Sequence, residues 1–355
     1  MNWFMQKWQE LTCRYKKGFL TFIICILLFI ITTSGTWAVT KNLFDQQAAE
    51  RWSSETEYAQ LSCFYPISKS LSDFEFQSLH HAVADGLKKA SMEAESEDVK
   101  LFVDAYSVSG TINITSPSHE MEVSAVGVSD NFFLFHPVTL LQGAYFDEHM
   151  IMKDGVILDE EAAFQLYGSN DVVGMPLYIG NAQFYVRGVV KKADGYFAKK
   201  AGLTASTCYV AVETLEKYGI TEGSYTYEVV MPNPVDDFAT GIIKSALNDT
   251  EQKIEVVENS TRFSFDAKKD VVLDFGTRSM SRNSIIYPYW ENIARACEDV
   301  CGILFIIQTV SALIAAGLLI IYLWKQYKER KWSLRGIWER IQKMWKSRRN
   351  ILKKQ

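Results

Sequence analysis

The chain has little of what enzyme and metal sites are usually built from. Its 355 residues include five histidines and six cysteines. No Cys-x-x-Cys and no Cys/His spacing marks a metal site. No G-x-x-x-x-G-K-[ST] phosphate loop occurs, which excludes ATP hydrolysis by the usual P-loop route. Neither an H-E-x-x-H pair nor a G-x-S-x-G nucleophile elbow is present. An apolar share of 48% with 22% charged residues excludes a disordered polyelectrolyte, a collagen-like repeat and a disulfide-dense mini-protein. There is no long low-complexity segment and no clear internal repeat. These absences lead to an expectation of no catalytic residue, no cofactor and no metal.

Charge is also missing from two long stretches. Gly18 to Val39 (GFLTFIICILLFIITTSGTWAV) holds 22 residues without Asp, Glu, Lys, Arg or His. Cys301 to Trp324 (CGILFIIQTVSALIAAGLLIIYLW) holds 24. About 20 apolar residues in a helix cross a hydrocarbon core of about 30 Å, and neither run shows the polar stripe of a soluble core helix. Two transmembrane helices, 18–39 and 301–324, are therefore expected. The first is read as an uncleaved anchor, because its apolar run exceeds a signal-peptide core of about 7–15 residues and Thr36-Trp37-Ala38 is a poor cleavage context.

The spans divide three regions of opposite charge. Residues 1–17 carry four basic residues and one acid, residues 40–300 carry 21 and 39, and residues 325–355 carry twelve and two. By the positive-inside rule, Arg14, Lys16 and Lys17 hold the N-terminus in the cytoplasm, as Lys325, Lys328, Arg330 and Lys331 hold the C-terminus. Residues 40–300 then lie outside the cell membrane. Trp37 and Trp324 fall where an aromatic belt is expected. The two-pass topology places both basic tails on the inner leaflet. In the tail 325–355, Leu334, Ile337, Trp338, Ile341, Met344 and Trp345 share one helical face among Lys and Arg, the pattern of a helix lying on anionic lipid. The N-terminus, 1–17, repeats this in miniature with Phe4, Trp8 and Leu11. A short arm tethered at a bilayer is not expected to bind nucleic acid.

The external region reads as α+β. Residues 40–57 continue the first span as helix. Tyr58–Tyr65 and Val99–Val108 read as strands around a helix at 71–92, with Phe74, Leu79, Val83 and Leu87 on its apolar side. A second set follows: strands at 207–212 and 225–231, a helix at 235–248, and a strand at 252–257. Split β-α-β units of this kind predict a ferredoxin-like subdomain, interrupted by a β-rich inserted subdomain at about 111–202 whose turns are marked by Asp154-Gly155, Gly180-Asn181 and Asp194-Gly195. Cys63 and Cys208 lie well inside this region, where oxidation is allowed. They form either a disulfide or two buried free thiols, and spacing does not choose. His80-His81 on a helix point in different directions and are not expected to share a metal. Asp159, Glu160 and Glu161 read as acids at a helix start rather than as a catalytic pair. Asn113, Asn248 and Asn259 begin N-x-S/T triplets, which matter only in a eukaryotic secretory route. In the second span Gln308 and Ser311 are placed to bond another helix, with Ala312, Ala315, Ala316 and Gly317 allowing close approach.

The most specific sequence lies in the inserted region: VSDNFFLFHPVTLLQGAYFDE (128–148), then GVILDEEAAFQLYGSNDVVGMPLYIGNAQFYVRGVVKK (155–192). It resembles the external core domain of MacB-type and FtsX-type ABC transporter permeases. That family carries N-Y-F, L and G-R-x-F, then V-V-L-S-E, A, L-F-G, P-V-G, I-x-G and F-x-V-V-G-V-V. The matching positions here are Asn131, Phe132 and Phe133; Leu141, Gly143 and Phe146; Leu158, Asp159 and Glu160; and Ala163, Tyr167 and Gly168. They continue through Val173, Gly174, Ile179 and Gly180 to Phe184, Val186, Gly188 and Val189. Glycines at tight turns and alternating apolar residues account for each match, so the motif identifies a fold more than an activity.

The resemblance covers roughly residues 40–300. It implies a MacB-like core domain between two spans, in a non-catalytic membrane subunit that couples a separate ABC ATPase to the external domain. The family's permeases have three spans after this domain where this chain shows one. A further multi-span permease subunit, or copies of this chain, is the implied partner besides the lipid bilayer. Glu329-Arg330, with Leu334, Arg335 and Gly336, is similar to the family element that faces the ATPase. The alternative is a stand-alone membrane-anchored binding or scaffold protein without an ATPase.

Overall fold

The structure, a computed structural model, describes residues 2–53, 57–92, 100–146, 153–201, 203–248, 253–277, 281–282 and 284–330. The chain divides into two units: Met1–Trp37 with Ile303–Gln355, and Ala38–Gly302. The first helix, α1 (Asn2–Thr40), contains the first uncharged run. It does not continue to residue 57. A 3-10 turn at Phe44–Gln46 and a short helix α2 (Ala48–Trp52) follow instead. Tertiary bonds hold this turn against the sheet. Gln60 donates from Nε2 to the Asp45 carbonyl at 2.7 Å, and its Oε1 accepts from the Ala48 N–H at 2.8 Å.

The ferredoxin-like half is built from two split β-α-β units. Strand β1 (Tyr58–Phe64), helix α3 (Asp73–Lys89) and strand β2 (Val103–Thr115) form the first. A capping box starts α3: Ser72 accepts from the Glu75 N–H while the Glu75 carboxylate accepts from the Ser72 N–H. Leu79, Val83 and Leu87 are buried at helical spacing, but Phe74 is 78% exposed and Phe76 packs on Tyr106 in its place.

The insertion follows. Its elements are β3 (Glu120–Val128), α4 (Phe132–Phe135), β4 (Leu140–Gly143), β5 (Gly155–Asp159), α5 (Glu160–Tyr167), β6 (Pro176–Ile179), β7 (Ala182–Val190), α6 (Tyr196–Lys200), β8 (Thr207–Ala211), α7 (Val212–Tyr218) and β9 (Ile220–Thr221). The second unit of the ferredoxin-like half is β10 (Thr226–Pro232), α8 (Phe238–Leu247) and β11 (Glu255–Glu258). Strands run in the order β11-β1-β10-β2 with antiparallel neighbours, the 4-1-3-2 order of a ferredoxin-like sheet. Helices α3 and α8 pack together on one face, where Gly86 leaves room for the Ile242 side chain, 2.8 Å from where a Cβ would stand.

Strand β2 belongs to both halves. Its first residues pair with β10, and Ser107–Thr115 pair with β3. From there the sheet continues β3-β8-β5-β7-β4. The strand at Thr207–Ala211 therefore lies in the insertion, parallel to β3 and antiparallel to β5, and not in the second β-α-β unit as periodicity predicts. Alternation marks a strand but does not name its neighbour. Gly143 ends β4 at φ +81, with a would-be Cβ only 2.1 Å from the Arg187 carbonyl oxygen, so no side chain fits there.

After β11 come α9 (Phe265–Leu273), a small hairpin β12 (Ser281–Arg282) and β13 (Ile285–Ile286), and α10 (Tyr289–Arg330). Within the unit of the two apolar runs, hydroxyls fold back on their own helices. Thr32 donates to the Leu28 carbonyl at 2.8 Å, and Ser311 to the Gln308 carbonyl at 2.9 Å. This satisfies polar groups where no water is present. Gln308 Nε2 reaches Thr33 Oγ1 of the other helix at 2.9 Å, and Leu304 packs against Gly35. Both helices are long and apolar enough to cross a membrane.

Candidate functional site

Among the described residues, the most heavily charged buried ground lies inside the external unit, around the first three turns of α10. Glu291, Arg295 and Glu298 stand at i, i+4 and i+7, which brings all three to one helix face. Facing them is Arg262, 5% exposed, from the segment between β11 and α9. Arg262 holds Glu291 as a two-pronged pair, Nη1 to Oε2 and Nη2 to Oε1 at 2.7 Å each. Its Nε donates to Glu298, and Nη1 also reaches Asn259 Oδ1 at 2.9 Å. Arg295 bonds Glu291 at 2.6 Å and Glu255 of β11 at 2.7 Å, with its guanidinium 3.8 Å from the Tyr287 ring centre. Burial alone would push the Glu291 carboxyl upward, but the two guanidinium groups outweigh it and hold the carboxyl below its usual range.

The network continues into the sheet. Asn259 Nδ2 donates to Ser62 Oγ on β1 at 2.8 Å, and Ser62 donates to Glu228 Oε1 on β10 at 2.7 Å. Glu228 is 2% exposed in the middle of an otherwise apolar strand. Its other oxygen meets His136 Nε2, and His136 Nδ1 lies 2.9 Å from Asp45 Oδ1 beside α2. His136 is fully buried, its ring centre 4.2 Å from that of Trp290 and 4.6 Å from that of Phe132, tilted by 38° and 39°. Burial would lower its pKa; Glu228 and Asp45 more than offset that and raise it to about 9. His136 is thus an imidazolium at neutral pH, between two carboxylates.

An aromatic cluster backs these charges. Phe132, Phe133, Tyr209 and Trp290 share one core, and Tyr289 lies 3.4 Å from Tyr209 hydroxyl to hydroxyl. Asn131 ties the start of α4 to β2 through the Asp104 carbonyl at 3.1 Å. So the Asn131-Phe132-Phe133 motif does structural work, seating α4 and His136 against the start of α10.

The structure places the other expected residues as follows. Cys63 on β1 and Cys208 on β8 are buried free thiols with β10, β2 and β3 between them. At about 4.8 Å per strand that is roughly 19 Å, whereas a disulfide needs Cα atoms within about 7 Å. The pair therefore does not bond, and burial pushes both thiols up in pKa. Glu329 and Arg330 end α10; Leu334, Arg335 and Gly336 lie outside the described residues. Asp159 caps α5, accepting from the Ala162 N–H and from the Thr207 N–H of β8 at 2.6 Å each. His80 turns away from His81 to meet Asp104 at 2.9 Å, and Tyr227 donates to the same carboxylate at 3.0 Å. Among the described residues no group of three or more His, Cys, Asp or Glu is arranged to hold a metal. Asn259, first residue of the triplet Asn259-Ser260-Thr261, has its side chain committed to the network.

Sequence reasoning passed over this network. The Glu291/Arg295/Glu298 spacing was available as a signal, as was the lone Glu228 within TYEVVMP. Arg262 and His136 carry no local signature, since only the fold brings them to those carboxylates.

The profile of the MacB-like periplasmic core domain family matches residues 20–242, more than half of the chain. Among solved structures the chain is similar to the periplasmic region of MacB from Actinobacillus actinomycetemcomitans (15% identity, TM-score 0.39, covering 68% of this chain and 99% of that one). It is also similar to the extracellular domain of the noncanonic ABC-type transporter YknZ from Gram-positive bacteria (16%, TM-score 0.36, 56% and 99%). A permease-protein domain from Porphyromonas gingivalis matches at 14%, TM-score 0.35, over 57% and 88%. No curated protein sequence matches. On the family match, the chain belongs to the MacB-like periplasmic core domain family and is a permease-like membrane protein with an extracytoplasmic domain.

Proposed function

We propose that this chain is a non-catalytic subunit that couples a separate ABC ATPase to the external domain. The observation that carries the reading is the anchoring of α10. The helix that becomes the second apolar run begins with three turns tied to β11 by the Arg295–Glu255 ion pair and to Arg262 by two more, and Arg262 is linked through Asn259 and Ser62 to β1 and β10. A buried, two-pronged, multiply bonded guanidinium resists sliding far more than apolar packing does. Displacement of α10 would therefore carry the ferredoxin-like half with it, which is what a subunit that transmits a cytoplasmic stroke outward requires. Family membership supports the same direction.

In this reading both termini are cytoplasmic, and the segment from Glu329 and Arg330 through Leu334, Arg335 and Gly336 meets the ATPase. A further multi-span permease subunit, or a second copy of the chain, completes the membrane part. Deleting residues 328–346 tests it. ATPase co-purification is expected to fall to background while membrane insertion persists. Undiminished co-purification would remove the docking role, and function surviving wherever membrane retention does would favour the stand-alone scaffold.

A further inference from the structure

Helix α9 carries three stripes of different character. Ala267 and Val271 follow the side that faces protein, with Val271 buried. Asp266, Asp270 and Asp274 form an exposed acidic stripe at i, i+4 and i+8. Phe265, Lys269 and Leu273 form an exposed stripe of the same spacing, with Phe265 66% and Leu273 71% exposed. Two large, mostly exposed apolar side chains on one short helix mark an interaction surface.

The position of α9 along the chain's path to the bilayer identifies the cover. A Cβ on Gly302 would meet Val271 Cγ1 at 3.1 Å, Phe275 Cε2 at 3.4 Å and Val272 Cγ2 at 3.6 Å. Gly302 lies inside the uncharged run that begins at Cys301. So α9 is packed against the start of the apolar stretch of α10. We propose that α9 is an interfacial helix whose Phe265-Lys269-Leu273 stripe lies in the outer leaflet. Phe265 and Leu273 bury in the acyl boundary, Lys269 snorkels to phosphate, and the Asp266-Asp270-Asp274 stripe stays in water. The proposal rests on residues 40–300 being external and requires no ATPase, so its failure is separable from loss of ATPase docking.

Spin labels read the depth directly. Full-length protein with Leu273→Cys or Asp270→Cys is labelled, with the parent chain as background, and placed in bilayers of phosphatidylcholine and phosphatidylglycerol. A label at 273 is expected to show a severalfold higher ratio of oxygen to nickel-chelate accessibility than one at 270. A second measurement, quenching of a Phe265→Trp emission by brominated lipid, is expected to exceed the parent's. Equal accessibility at 273 and 270 would overturn the proposal, as would a 273 label shielded from both reagents, which would mean that protein covers the stripe.

Discussion

Replacing Arg262 by alanine is expected to lower the unfolding free energy of the external domain by about 3–5 kcal/mol, the cost of removing one partner from a buried ion pair. Three groups lose their cation or donor at once: Glu291, Glu298 and Asn259. Glu291 suffers most, because it is 1% exposed and keeps only Arg295. In a domain of this size a loss of that order lowers the melting temperature by roughly 10 °C. Arg262→Lys should fall between the two, since it restores charge without the planar fork that engages both Glu291 oxygens. Thermal unfolding of the detergent-solubilised full chain measures this. Equal melting temperatures for wild type and Arg262→Ala would show that the network bears no load.

The second large effect is on pH dependence. His136 is raised in the folded state from 6.5 to about 9 by Glu228 and Asp45, against the opposing effect of burial. A raised histidine stabilises the fold fully below its unfolded pKa and loses that contribution as pH climbs through the folded value. At 1.36 kcal/mol per unit, the loss between pH about 6.5 and 9 amounts to about 3 kcal/mol. Chemical denaturation of the full chain at the two ends of this window should reveal a lower midpoint at the alkaline end. His136→Gln should be less stable at the acidic end and should flatten the dependence. His80, which Asp104 raises in the same direction, is the natural control, because as a half-exposed group it contributes less. A wild-type midpoint independent of pH across the window would refute the charged, buried imidazole.

What could be read from the sequence follows a physical division. Helices with their own periodicity were legible: Leu79, Val83 and Leu87 announce α3, and charge exclusion announces both apolar runs. The two split β-α-β units were legible as a set, and they assemble in the ferredoxin-like order. Strand partners were less so. Thr207–Ala211 alternates equally well beside β3 or β10, and its place between β3 and β5 is set by contacts distant in sequence. Residues 40–57 looked helical because nothing local breaks them; the break comes from Gln60 capturing Asp45 and Ala48.

The charge network was the least legible part, for the same reason. An arginine, a histidine and a glutamate become one site only when β1, β10, α4 and α10 converge. Only the α10 face, Glu291-Arg295-Glu298, was written within a single element. Cys63 and Cys208 show the converse. Composition and compartment allow their pairing, and three intervening strands forbid it.

Hydrogen exchange across residues 289–301 of the full chain in lipid asks directly whether α10 is bolted to the sheet. Backbone amides there should match the protection of β1 and β10, and that protection should collapse in Arg262→Ala while the apolar stretch beyond Ile303 stays protected. Rapid exchange at 289–301 in the wild type, or protection indifferent to Arg262, would mean that the helix leaves the domain unattached and has nothing to transmit.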